Sequence, residues 1–111
     1  MLVNLLFLVW GFSTMSNLLY TQAQEITGQT SISAIIYEAT WSPDGAVFAV
    51  ATDTGISIYD SSLQELTVLQ GHTSHVLSVA WSIDGMSLAS AGGIGDGTII
   101  IWHRDNNNTF T

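Results

Sequence analysis

The chain has 111 residues, enough for one small domain, with 47% hydrophobic residues and only 9% charged. Nine acidic residues stand against one basic residue, Arg104, for a formal net charge of −8, so the chain cannot build the Lys/Arg cluster that a nucleic-acid or anionic-membrane surface needs. It has no cysteine, which excludes disulfides and thiolate metal sites.

Residues 1–24 carry no charged side chain. Leu2 to Phe12 is almost wholly apolar, interrupted by Asn4 and Gly11, and has about the length of the apolar region of a secretory leader. Thr21 and Ala23 place small residues three and one positions before a break ahead of Gln24. No Lys or Arg precedes the run, and Ser13, Thr14, Ser16 and Asn17 cut it short of the roughly 20 apolar residues of a membrane span. Residues 1–23 are therefore expected to be a cleaved signal peptide, which predicts a secreted or periplasmic protein. A retained membrane anchor is the alternative, and membrane contact is expected only in that case; a strand or a misplaced gene start is the third reading.

Residues 24–111 hold an internal repeat, and repeats decide architecture before single motifs do. IIYEATWSPDG (35–45) lies over HVLSVAWSIDG (75–85), and AVFAVA (46–51) lies over MSLASA (86–91). TDTGISIYD (52–60) then lies over GDGTIIIWH (95–103), the three extra residues falling in the glycine-rich AGGIGDG. In chain order each copy reads as a strand, the SPDG or SIDG turn, an apolar strand, a DTG or DGT turn, and a β-branched strand. Pro43 presets φ for the first central position of its turn and Gly45 can take positive φ; Ile83 in place of Pro43 should leave the second turn intact. QELTVLQGH (64–72) supplies a fourth strand leading into Gly71-His72, and TFT (109–111) reads as the beginning of its counterpart. No helical periodicity occurs after residue 24.

GHTSHVLSVAWSIDGMSLASAGGIGDGTIIIWH (71–103) resembles the repeat of the WD-repeat β-propeller family nearly end to end, and residues 35–60 resemble it more loosely. The resemblance implies an all-β fold: two four-stranded antiparallel propeller blades, the second incomplete, after the N-terminal apolar segment. Blade one is expected over about 34–70 and blade two over about 71–111. Because propellers close with about four to eight blades, the chain is expected to be a fragment, or to self-associate to complete a ring.

The family resemblance also implies a structural hydrogen-bond network joining His72, Ser90, Asp96 and Trp102. Elementary chemistry agrees: a buried carboxylate needs donors, an imidazole can give one bond and accept another, and indole has one donor to offer. Blade one departs from the pattern, with Ile32 where a count of 40 back from His72 falls and Tyr59-Asp60 against Trp102-His103, so Asp53 is expected to be a solvated turn residue.

Catalytic, metal and cofactor readings do not gain support. A Ser-His-Asp set needs a strained, exposed nucleophile, whereas Ser90 lies in an apolar strand. His72-x-x-His75 has no third ligand at metal spacing. GGIGDG lacks the lysine and following helix of a phosphate loop. Asn107-Asn108-Thr109 is a formal glycosylation sequon, with no weight alone. The expected function is a non-enzymatic propeller module, a scaffold presenting loops to a protein or peptide partner, with no cofactor. Its alternatives are a piece of a larger enzyme or ligand-binding propeller whose site lies in other blades, and a non-functional gene fragment.

Overall fold

The computed structural model describes residues 26–111; the leader expected over 1–23 lies outside the described residues. Among the described residues seven strands form and there is no helix. They are β1 (Ile36–Trp41), β2 (Val47–Thr52), β3 (Ile56–Asp60), β4 (Glu65–Leu69), β5 (Val76–Trp81), β6 (Ser87–Gly92) and β7 (Ile99–His103). β1 to β4 make one antiparallel sheet in sequence order, and β5 to β7 make a second. After β7 the chain turns back: Arg104 bridges Phe110, and His103 and Thr111 exchange backbone bonds of 2.8 and 2.9 Å. TFT thus starts a fourth strand on the second sheet.

The pentapeptide turns are built alike. Ser42 and Ser82 each accept from the amide three residues on at 2.9 Å, and each gives its hydroxyl to the aspartate two residues on at 2.6 Å. Gly45 and Gly85 take φ of 72° and 73°, the left-handed conformation in which a side chain is strained. Ile83 in place of Pro43 changes nothing in this geometry, because position i+1 of a type I turn needs no proline. Bulges fall at matching places too, between Ile36 and Glu38 and between Val76 and Ser78, which takes Tyr37 and Leu77 out of register.

Strand alternation aims Ala49, Ala51, Ile56 and Ile58 to one face of the first sheet, where all four are fully buried. Val76, Val79 and Leu88 of the second sheet pack onto them, with Trp81 alongside. Burying an aliphatic side chain of this size contributes about 1.5–3 kcal/mol, so this seam is the core. Polar groups fasten its edge in three places. Tyr37 stacks on His75 at 5.6 Å, its hydroxyl 2.9 Å from Nδ1. Trp81 Nε1 donates to the Thr40 carbonyl at 3.3 Å. The Arg104 guanidinium, buried and 5.5 Å from the Trp81 ring centre, donates to Asp44 Oδ2 (3.0 Å), the Gly85 carbonyl (3.1 Å) and Asn108 Oδ1 (2.8 Å).

The Ser42 hydroxyl, the Ala46 amide and Arg104 together hold the Asp44 carboxyl down at about 2, against 3.8 for a free aspartate. The folded chain therefore binds fewer protons here than the unfolded chain, and stability rises with pH across that interval. The contribution is fully present above 3.8 and is lost as pH falls toward 2. We expect the thermal midpoint to drop over this window, and Asp44→Asn to make the drop shallower without abolishing it, since Asp60 and Asp84 are also held low. Thermal melts followed by circular dichroism at stepped pH check this; equal slopes for the two proteins would refute it.

Candidate functional site

His72 lies just before β5, Ser90 in β6, Asp96 in the loop after β6 and Trp102 in β7. Ser90 is cross-strand from Val79 and Ile100, and Trp102 pairs with Leu88, so the serine and the indole share one face two residues apart. The segment 70–73 crosses that face and brings His72 onto it. Trp102 Nε1 donates to Ser90 Oγ at 2.9 Å. Ser90 Oγ lies 2.8 Å from His72 Nε2, and His72 Nδ1 lies 2.9 Å from Asp96 Oδ2. Assigning protons to satisfy every partner gives one direction: Trp102 to Ser90, Ser90 to His72, His72 to Asp96.

Asp96 is the terminus of this chain and is saturated with donors. Oδ2 also accepts from the Thr73 amide at 2.7 Å, and Oδ1 accepts from the Thr98 amide at 2.9 Å and from the Thr98 hydroxyl. The Thr98 hydroxyl is the largest cause of a carboxyl held well below the usual carboxylate range; burial opposes it, and the Thr73 amide and His72 add to it. The side chains of His72 and Asp96 are each only 2% exposed.

Three residues of this site carry no label in the sequence. Thr73 and Thr98 are two. Gly92 is the third: a Cβ there would sit 2.5 Å from Asp96 Cγ and 2.7 Å from His72 Nδ1, so the imidazole–carboxylate pair lies directly on bare backbone. Gly71 is similar, its Cβ direction ending 2.9 Å from the Trp102 ring. The glycines of GH and of LASAG are the only sequence trace of these close approaches.

Blade one fills the same positions with other chemistry. Val50 stands where Ser90 does, cross-strand from Ala39 and Ser57, and Tyr59 stands where Trp102 does. Tyr59 stacks on Phe48 at 5.3 Å, and Phe48 packs against Trp41 at 4.9 Å, an apolar ladder in place of a polar chain. Asp53 does not float in solvent as the sequence suggested: its Oδ1 accepts from the Ile35 amide at 3.0 Å, and its own amide donates to the Ile35 carbonyl at 3.2 Å. Nothing in a turn aspartate's sequence neighbourhood reveals a partner 18 residues away.

Chemically, Ser90 is poorly placed for attack. The residue is 2% exposed, and its oxygen already receives the indole N–H. The two histidines do not converge, since His72 Nδ1 faces Asp96 and His75 Nδ1 faces Tyr37. Among the described residues, no three His, Cys, Asp or Glu side chains gather at metal distance.

The sequence pattern described as "WD domain, G-beta repeat" matches residues 16–60 and 63–103, two stretches that take in most of the chain. Cilia- and flagella-associated protein 57 of Mus musculus is 34% identical over 67 residues, which are 60% of this chain and 5% of that protein. Protein SEH1 of Arabidopsis thaliana is 31% identical over 89 residues, 68% of this chain and 27% of the relative. Among solved structures, U3-55K superposes with a TM-score of 0.62 at 28% identity, over 74% of this chain and 27% of that one. The RRP9 WD40 repeats superpose at 0.61 with 28% identity, over 74% and 26%. The chain thus spans a minor part of each of these proteins. It belongs to the WD-repeat family, and its two sheets are blades of that family's β-propeller.

Proposed function

We propose that this chain is a non-enzymatic propeller module, a protein-interaction scaffold whose blades hold loops for a protein or peptide partner. The observation that carries this reading is where the reactive and the sticky side chains lie. Ser90, His72 and Asp96 are spent on one another inside blade two, while Ile83 and Ile94, at the tips of two hydrogen-bonded turns, are 97% and 99% exposed. Tips held by rigid blades suit recognition. Panning a random peptide library against the chain should return ligands whose affinity falls about tenfold or more in Ile83→Asp or Ile94→Asp at unchanged thermal stability. Ligands indifferent to both changes refute the loop reading, and turnover of any ester abolished by Ser90→Ala would move the protein among enzymes.

The network is proposed to be structural, fixing the entry of β5 onto blade two. His72→Ala should then destabilise the fold by about 1–3 kcal/mol, by stranding Asp96 and Ser90. Gly92→Ala should be at least as damaging, because its methyl group displaces the same pair. Ile32→Ala and the surface change Gln64→Ala serve as references, in urea melts. Equal costs for His72→Ala and Gln64→Ala would overturn the assignment.

For localisation we propose export with removal of residues 1–23, supported by the uncharged apolar run and the small residues before Gln24. The family match starting at residue 16 pulls the other way. Intact mass after expression in a secreting host distinguishes them: a chain starting at Gln24 is expected, and a retained Met1 in the cytoplasmic fraction refutes it.

A further inference from the structure

The two ends of this pair of blades match each other, position by position, in the way the two blades match inside the molecule. The internal seam has a socket and a plug. The socket is the face of Ala49, Ala51, Ile56 and Ile58, and the plug is Val76, Val79, Trp81 and Leu88. Blade two carries its own socket. Ala89 pairs with Ile101 and Ala91 with Ile99, as Ala49 pairs with Ile58 and Ala51 with Ile56. Here, however, Ile99 is 74% and Ile101 53% exposed, and among the described residues nothing covers them. Blade one carries its own plug: Ile36, Ala39, Trp41 and Phe48 stand at the positions of Val76, Val79, Trp81 and Leu88. Trp41 is 54% exposed, and a mostly apolar groove of about 230 Å³ opens beside it, lined by Ala39, Phe48 and Leu63.

We propose that a second copy of this chain covers the open face of blade two, seating the Trp41 face of its own blade one there and repeating the internal seam between molecules. The edge contacts carry over. Trp81 donates to the carbonyl of Thr40 inside the molecule; Trp41 would donate to the carbonyl of Ala80 across the new seam. The Tyr37–His75 stack becomes Leu77 against Ile35, two exposed aliphatic side chains that the same bulge geometry places there. One contact is lost, because Ser61 occupies the position of Arg104 and Asp84 that of Asp44, so the intermolecular seam has no ion pair and is weaker than the internal one. Since plug and socket are different surfaces, the contact is head-to-tail, and copies add until a ring closes. With two blades per chain and about four to eight per ring, closure takes two to four copies. Each copy carries a charge of −8, so salt should favour association by screening that repulsion. The inference is independent of what the loops bind.

The test uses the 111-residue chain in light scattering after size exclusion, and two variants. Ile101→Asp spoils the socket and leaves the plug; Trp41→Asp spoils the plug and leaves the socket. The unaltered chain should run as a multimer of two to four copies, strengthened by salt, and each variant alone as a monomer. Mixed, the two variants should form a one-to-one dimer and stop, since one good plug meets one good socket. Each variant must keep the far-ultraviolet spectrum of the unaltered chain; should Trp41→Asp lose it, Ile36→Asp replaces it on the same face. A monomeric unaltered chain overturns the proposal. So does a mixture that stays monomeric, or a multimer that neither variant disperses.

Discussion

The face-to-face packing of Val76, Val79 and Leu88 on Ala49, Ala51, Ile56 and Ile58 is the constraint on which the rest of the molecule depends. A twisted sheet of three or four strands has two faces and cannot bury both by itself. The alanines of β2 keep the first sheet's face low, so the larger side chains of β5 and β6 can seat against it, and Val76, Val79 and Leu88 are buried there. Once the two sheets are in contact, the neighbouring polar links become affordable. Arg104 loses its water but gains Asp44, Asn108, a carbonyl and the Trp81 ring, and a cation buried with that many partners is tolerated where an unpaired one is not. Were the seam to open, the same guanidinium would keep Gly85 and Asn108 but lose Asp44, its one charged partner, to the other sheet.

Within each blade, a second problem is how to pin the segment that enters the innermost strand. Both blades use a backbone link at the same place, Asp53 to Ile35 and Gly93 to His75. Blade two adds the chain from Trp102 through Ser90 and His72 to Asp96, and blade one instead stacks Trp41, Phe48 and Tyr59. Replacing a buried polar network by well-packed apolar groups is often neutral or favourable, while removing one member of it is costly. The two blades illustrate the alternatives on one backbone. In blade one Val50 stands in place of Ser90, so the chain from indole to hydroxyl to imidazole has no central member there.

How much of this was readable beforehand follows from the range of each interaction. The turns were, because Ser42, Asp44 and Gly45 act within five residues, and so were the strands, whose alternation is local. The four network residues stood out only through the family resemblance; periodicity alone does not select His72 over His75. The partners of Arg104 were not legible, since Asp44 lies 60 positions away and nothing marks the pair beyond opposite charge. Gly92 was hidden for another reason. Its role is an absence, room for a carboxylate, and an absence has no pattern in a sequence until the backbone is known.

The acidity of the chain has a structural origin that its composition conceals. Asp44, Asp60, Asp84, Asp96 and Asp105 each accept, through Oδ1, the amide two residues on: Ala46 at 3.1 Å, Ser62 at 2.9 Å, Met86 at 3.0 Å, Thr98 at 2.9 Å and Asn107 at 2.8 Å. Aspartate and asparagine close turns this way because the short side chain reaches its own backbone. The ionised form of aspartate accepts the more strongly, being charged. A meander of short strands needs such a turn every few residues, so it accumulates carboxylates with no ligand in view. The sixth aspartate, Asp53, is the exception that shows the same logic at longer range, closing onto Ile35 rather than onto its own turn. A charge of −8 on this chain is therefore first the signature of many tight turns, and any role in attracting or repelling a partner is laid over that.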